Sequence, residues 1–475
     1  MSTDRSLDDG AGSLVDTVLV SNRGPLAFTF EEGLPVPGTV GGGLAGSLRP
    51  LVVGTGATWV ACTLDEADRA AAASGMMTDE GLDIELVDPE PDMYNMAYNV
   101  VSNATLWYCH HHLFDAARRP RADRRWWEAW DAYREFNMLF AQKVAKVAPE
   151  SGRVLVQDYH LALMGSALAR LRPDLRTVHF THTPFADPSV LGMLPTAVST
   201  ELLEGMAGFE ACGFHTARWA SAYRQGLDLA KSRSGIEPLS GSIFVSPLAT
   251  DAVRLRSSAG DPEVGSALAA LEERVGGADR QVIVRVDRME LSKNLLRGFW
   301  AFDELLESQP HRRERVVLVA LAYPTRQGLP DYLAYQNEVE STVERINQRW
   351  GKPGWTPIVL EIEDDYPRSL AALSRYDVLL VNPVRDGLNL VAKEGPLINT
   401  RHGVLVLSYE AGAYEELASA AAGINPFDVS GTAAALAEAL DMEPELKARR
   451  SDELVQLLLA RQPSDWLRDQ LDAAG

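Results

Sequence analysis

Short, nearly unbroken apolar runs alternate along the chain with longer stretches whose apolar positions recur at helical spacing. Thr17 to Val20, Thr58 to Cys62, Arg153 to Val156 and Thr177 to Phe180 read as buried strands in the first half. Gln281 to Val286, Val316 to Ala322, Ile358 to Ile362, Tyr376 to Val381 and Val404 to Ser408 do so in the second. Strands this uniformly apolar are buried on both faces, as in a parallel sheet covered by helices. The stretches between them, Trp127 to Val147 and the long segment through Asn347 included, supply that cover. This alternation predicts an α/β fold of two doubly wound, Rossmann-like parallel sheets with a cleft between their C-terminal edges. Near Ser246 to Asp251 one series ends and a fresh one begins. The expected boundaries are a flexible tail over 1–16, a first domain over 17–250 and a second over 251–454, with a last helix, about 455–475, returning to the first.

Ligands of such sheets gather beyond the carboxyl ends of the strands, so the residues at strand exits matter most. Arg23, in Ser21-Asn22-Arg23, is placed to hold an anion; an ordinary surface arginine fits its position as well. Asp158 and His182 leave two successive strands at one sheet edge, an acceptor and a proton-bonding group side by side. Arg288 and Lys293, five residues apart at another exit, can straddle a diphosphate, or form a salt-bridged turn. Arg326 follows a further strand. The stretch Val384 to Glu394 joins a strand to a helix through Asp386-Gly387: helix-terminal amides favour anions, Gly387 allows close approach, and Asp386 and Glu394 can accept from sugar hydroxyls.

Gly41-Gly42-Gly43-Leu44-Ala45-Gly46 matches G-x-G-x-x-G, with Asp65 about 20 residues on. A dinucleotide fingerprint follows its strand directly, whereas a long Pro-containing loop separates Asn22 from Gly41, so a glycine loop closing over a sugar or phosphate fits better. Tyr98, Asn99, Asn103 and Trp107 mix hydrogen-bonding groups with flat aromatic faces, the chemistry of sugar binding and equally of an aromatic core. His110-His111-His112 is a poor metal site, because adjacent side chains diverge on any regular backbone.

The chain has 66 acidic against 45 basic residues, a formal charge of −21, which argues against nucleic acid or an anionic membrane as the main partner. Cys62, Cys109 and Cys212 are odd in number and far apart, as free thiols in a reducing compartment would be. The N-terminus lacks the pattern of a signal peptide, and no apolar run approaches the roughly 20 residues of a membrane span. A cytoplasmic protein acting on small molecules is expected; a homo-oligomer is compatible with the sequence, and nothing in it sets the oligomeric state.

Taken together and in order, these motifs resemble the trehalose-6-phosphate synthase family of retaining glycosyltransferases, with a GT-B fold, over nearly the whole chain after about residue 17. The Asn22-Arg23-Gly24-Pro25 form looks like an actinobacterial branch. The resemblance implies that Arg23 and Arg326 clamp the phosphate of glucose 6-phosphate, and that Tyr98, Trp107 and Asp158 contact the acceptor sugar. His182, Asp386 and Gly42, with Gly43 beside it, fall on the donor glucose. Arg288 and Lys293 take the diphosphate, with Gly387, Asn389 and the Leu390 and Val391 amides nearby and Glu394 on the ribose. Asp158, His182, Arg288, Lys293 and Asp386 are the implied catalytic set. It also implies transfer of glucose with retention from GDP- or UDP-glucose, without a protein nucleophile, a metal or any other cofactor. Where the family has Leu-Asp-Tyr-Ser-Lys-Gly after the arginine, this chain has Met289-Glu290-Leu291-Ser292-Lys293-Asn294, both charges intact. The rivals are a related enzyme with another acceptor, such as glycerol 3-phosphate or an aminocyclitol phosphate, a catalytically silent regulatory subunit, and, less well, a dinucleotide dehydrogenase.

Overall fold

The computed structural model describes residues 13–39, 43–73, 77–234, 241–277, 279–326 and 328–475. They fall into two compact units, one running through Leu248 and including Pro463–Gly475, the other Ala249–Gln462.

In the first unit the strands are β1 (Thr17–Val20), β2 (Leu26–Glu31), β3 (Leu34–Thr39), β4 (Thr58–Cys62), β5 (Met77–Asp79), β6 (Leu82–Val87), β7 (Arg153–Gln157), β8 (Arg176–Thr181), β9 (Ala211–Phe214) and β10 (Ser242–Val245). Eight of them form one sheet in the order β10-β9-β8-β7-β1-β4-β6-β5. All pairings are parallel except that of β5 with β6. The chain winds outward from β1 through β4 to β6, then restarts at β7 on the other side, so the winding direction reverses between β1 and β7. That reversal is where an open α/β sheet leaves a crevice at its carboxyl edge. β1 and β7 align Leu19 with Leu155 and Val20 with Val156, all fully buried, so both strands release their exit residues at one level.

The second unit holds β11 (Gln281–Arg288), β12 (Val316–Tyr323), β13 (Ile358–Glu361), β14 (Val378–Val381), β15 (Val404–Ser408) and β16 (Ala422–Ile424). They form an all-parallel sheet, β13-β12-β11-β14-β15-β16, whose reversal lies between β11 and β14. Its strands are almost wholly buried, as their apolar runs require.

Three expectations need correction. Residues 26–39, read as loop, form a hairpin of β2 and β3 closed by Glu32 and Gly33, both at positive φ. A two-residue turn of that hand is signalled by Asn-Gly or Asp-Gly, and Glu32 hides it. Gly43 and Gly46 open the helix Gly43–Val52 rather than extending a glycine loop; Gly42 lies outside the described residues. The segment returning to the first unit is Pro463–Gly475, shorter than 455–475: Leu454 and Leu458 are buried in the helix Pro444–Leu459, which packs on Val391–Ile398, and Pro463 starts a new helix.

Candidate active site

In the first unit the exits of β1, β7 and β8 converge. Trp59 on β4 donates its indole N–H to Ser21 Oγ at 2.8 Å, and Ser21 Oγ donates to the Arg23 carbonyl at 2.7 Å, fixing the turn that presents the exposed Arg23. Beside it rings stack in series: Tyr94 on Tyr98, centroids 5.2 Å apart, and Tyr98 on His160 at 5.6 Å. Tyr98 and Asn99 lie on the π-helix Met96–Leu106, a wide turn common at functional sites. Asn103 and Trp107 are buried, Trp107 against the His111 ring. The three histidines diverge: His110 accepts from the Ala186 amide, His111 bonds the Trp107 carbonyl, and His112 faces Asp187.

Asp158 is the strained residue of this unit. At φ 71 and ψ 167 it occupies a region that is essentially glycine territory. Its amide donates to the Phe180 carbonyl at 2.7 Å, its carbonyl accepts from His179 Nε2 at 3.0 Å, and Oδ1 accepts the His182 amide at 3.1 Å. The two residues expected at one sheet edge are therefore bonded directly. His182 is in turn held by a chain that its sequence context did not show. The Leu248 amide donates to His215 Nδ1, so His215 Nε2–H donates to His182 Nδ1 at 3.2 Å, and His182 Nε2–H donates to Gln157 Oε1 at 3.0 Å. Gln157 Nε2 then donates to Gln470, on the returning helix, at 3.0 Å. Burial, with the neighbouring histidines His215 and His179, holds His182 well below the usual histidine range, so the ring is neutral.

In the second unit the two exits flanking the reversal are tied together. Val384 N–H donates to the Ser292 carbonyl at 2.8 Å, and Lys293 Nζ meets Asp386 Oδ2 at 2.6 Å. Asp386 Oδ2 also accepts from Asn389 Nδ2 at 3.2 Å, and its Oδ1 from the Leu388 amide at 3.3 Å. The turn is pressed against the chain after β15. A Cβ at Gly412 would lie 2.0 Å from the Gly387 carbonyl oxygen, so glycine is required there. Asn389, at φ 82, accepts at Oδ1 the amide of Ala392, in the first turn of the helix Val391–Ile398, at 3.1 Å. The Leu390 and Val391 amides stand at the start of that helix, where N–H groups lack intrahelical acceptors.

Arg288 leaves β11 paired with Glu290 at 3.0 Å, which raises its already high pKa. Burial works against the Lys293 ammonium, yet the carboxylates of Asp386, Glu290 and Asp287 together more than offset it and the pKa rises. Both cations are thus permanent charges. Arg326, at φ 48, donates to the Tyr332 hydroxyl at 2.6 Å. Burial pushes the Glu394 carboxyl up to about 7. Among the described residues no group of three or more His, Cys, Asp or Glu could hold a metal ion.

The model of glycosyltransferase family 20 matches residues 16–474. The chain belongs to this family. A trehalose-6-phosphate synthase of Mycobacterium marinum is 32% identical over 482 residues, 96% of this chain and 93% of the relative. Among solved structures, the E. coli protein bound with UDP-2-fluoro glucose superposes with a TM-score of 0.83 at 27% identity, covering 96% of this chain and 98% of that one. The Burkholderia xenovorans α,α-trehalose-phosphate synthase in complex with glucose-6-phosphate gives 0.83 at 28% identity, with 97% and 100% covered. This family 20 chain is a retaining glycosyltransferase of GT-B fold.

The strain at Asp158 makes a testable separation of stability from activity. Asp158→Gly and Asp158→Ala both lose the carboxylate, but glycine relaxes the backbone and alanine does not. The glycine variant should be more stable than the alanine variant by about 1–3 kcal/mol in urea unfolding, with both equally impaired in turnover. Equal stabilities would show that the backbone is not strained.

Proposed function

We propose that the protein is an α,α-trehalose-6-phosphate synthase, transferring glucose with retention from a nucleoside-diphosphate glucose, GDP- or UDP-glucose, to glucose 6-phosphate. The observation that carries this reading is the paired exit of β11 and β14: a Lys293–Asp386 contact of 2.6 Å beside Arg288 and the amides opening the helix Val391–Ile398. Such a site offers a diphosphate two permanent cations and amide donors, and offers a sugar a fixed carboxylate. In this reading Arg288, Lys293 and the Leu390 and Val391 amides hold the diphosphate. Gly387 and Asn389 shape the turn against it, Asp386 orients the glucose, and Glu394 accepts from the ribose. In the first unit Arg23 takes the acceptor's phosphate, with Tyr98, Trp107 and Asp158 on its sugar ring. His182 orients a glucose hydroxyl through a ring held in one tautomer. The likeness to the Burkholderia structure with glucose-6-phosphate and the E. coli structure with UDP-2-fluoro glucose supports both substrate classes.

The acceptor hydroxyl attacks from the leaving-group side and passes its proton to the departing diphosphate. The C–O bond to the diphosphate breaks as the bond to the acceptor oxygen forms. Arg288 and Lys293 carry the developing negative charge, a preorganised electrostatic contribution in the place a metal would fill. No cofactor takes part. The three cysteines are buried free thiols, in keeping with a cytoplasmic setting.

Nucleotide release from GDP- and UDP-glucose, with and without glucose 6-phosphate, tests this directly. Release that depends on glucose 6-phosphate, with an α,α-linked disaccharide phosphate by mass and anomeric NMR, is expected. Release with glycerol 3-phosphate or an aminocyclitol phosphate instead would replace the acceptor.

Glu394 adds a pH dependence. Its carboxylate accepts from ribose hydroxyls, and the free protein takes up a proton there below about 7. Affinity for the nucleotide sugar, whose diphosphate stays ionised throughout this range, should fall below that pH, approaching about tenfold per unit. Glu394→Gln should flatten the profile in calorimetric titrations. An unchanged profile in that variant would remove Glu394 from the ribose.

A further inference from the structure

Arg285 is a charged residue inside β11, 1% exposed, with its guanidinium enclosed by protein. Its Nε donates to Asp287 Oδ2 at 2.9 Å and its Nη2 to the Lys293 carbonyl at 2.9 Å. Its Nη1 points toward the Leu295 carbonyl at 3.4 Å, and the guanidinium lies over the Phe299 ring. Space for it is made by Gly298 in the helix Leu295–Ser308, where a Cβ would come within 2.3 Å of Nη1. The turn it grips is an unusual one. Asn294 sits in the left-handed region at φ 59 and ψ 41. Its side-chain Nδ2 donates to the Asn382 carbonyl at 2.9 Å and the Pro426 carbonyl at 2.8 Å, and Asn382 Nδ2 returns a bond to the Asn294 carbonyl at 3.2 Å.

We propose that Arg285 is a positioning residue for Lys293, fixing its backbone and reserving its ammonium for Asp386 and the incoming diphosphate. Two effects act together. The guanidinium ties the Lys293 carbonyl back to the strand, which sets the direction in which the side chain leaves the turn. It also occupies the Asp287 carboxylate, a second buried acid on the same strand exit. Without Arg285 that carboxylate would be left unpaired in a dry site and would compete for the nearest cation. Gly298 is part of the device, since a side chain there displaces the guanidinium.

The inference rests on the reading that Lys293 bears on the diphosphate, and its test separates the two. Calorimetry gives the ratio of affinities for a nucleoside diphosphate and its monophosphate, GDP against GMP and UDP against UMP, in the full-length protein. Lys293→Ala should lower that ratio by about tenfold or more, the worth of a charge-assisted contact. Arg285→Met should lower it by a similar order while leaving monophosphate affinity within about twofold. Gly298→Ala, a substitution that favours the helix, should reproduce the effect without loss of folding. A general loss of packing would weaken both nucleotides alike. A ratio that collapses in Lys293→Ala but stays at the wild-type value in Arg285→Met and Gly298→Ala overturns the positioning role. A ratio unchanged in Lys293→Ala as well overturns the diphosphate reading beneath it.

Discussion

The contact between Lys293 Nζ and Asp386 Oδ2, 2.6 Å long, joins the two strand exits on either side of the reversal in the second sheet. The charges around it have partners of their own, so this cation and anion keep their register. Glu290 faces Arg288, Arg285 faces Asp287, and Asn389 and the Leu388 amide share the Asp386 carboxylate. A buried ion pair on its own is weak support for a fold, because desolvation offsets much of the attraction. Here the pair sits at the carboxyl edge of the sheet, and in the proposed reaction an incoming diphosphate takes over the ammonium while a sugar takes over the carboxylate.

The first sheet solves a matching problem by different means. Its reversal is flanked by Arg23 on one strand exit and Asp158 on the next, and the groups are held by neutral hydrogen bonds rather than charges. The chain from Leu248 through His215, His182 and Gln157 to Gln470 leaves each ring nitrogen of His182 one role, so its tautomer is fixed by its neighbours. The returning helix Pro463–Ala473 contributes both Gln470 and the buried Trp466, whose ring packs on Phe180 and His182. The end of the chain is thereby part of the framework that orients a residue at a strand exit near its middle.

Much of this was legible in the sequence, for a physical reason. Buried parallel strands must be apolar on both faces, so runs such as Val316 to Ala322 announce themselves, and chemistry at such a sheet concentrates where those runs stop. By that logic Arg23, Asp158, His182, Arg288, Lys293 and Asp386 are candidates, and the structure places each where a strand ends or just beyond. Features that depend on partners distant in sequence or on small departures in backbone geometry leave no such mark. The hairpin of β2 and β3 was hidden by Glu32 in a turn that favours asparagine. The π-helix Met96–Leu106 differs from an α-helix by less than one residue per turn, too little for periodicity to reveal. Gln157, His215 and Gln470 gain meaning only when three separate elements meet. Arg285 lies inside the run Gln281 to Val286 without a signal of its own, and only its depth and the space left at Gly298 show what it holds.

In the proposed reaction Lys293 and Arg288 themselves stabilise the departing diphosphate. The most direct measurement is the steady-state rate on the preferred nucleotide sugar and glucose 6-phosphate, in chelator and in added magnesium, for the wild type and Lys293→Gln. A wild-type rate unaffected by chelator is expected, with a loss of about 100-fold or more in Lys293→Gln that magnesium does not restore. A wild-type rate that requires a divalent metal, or a Lys293→Gln rate within a few-fold of wild type, would contradict it.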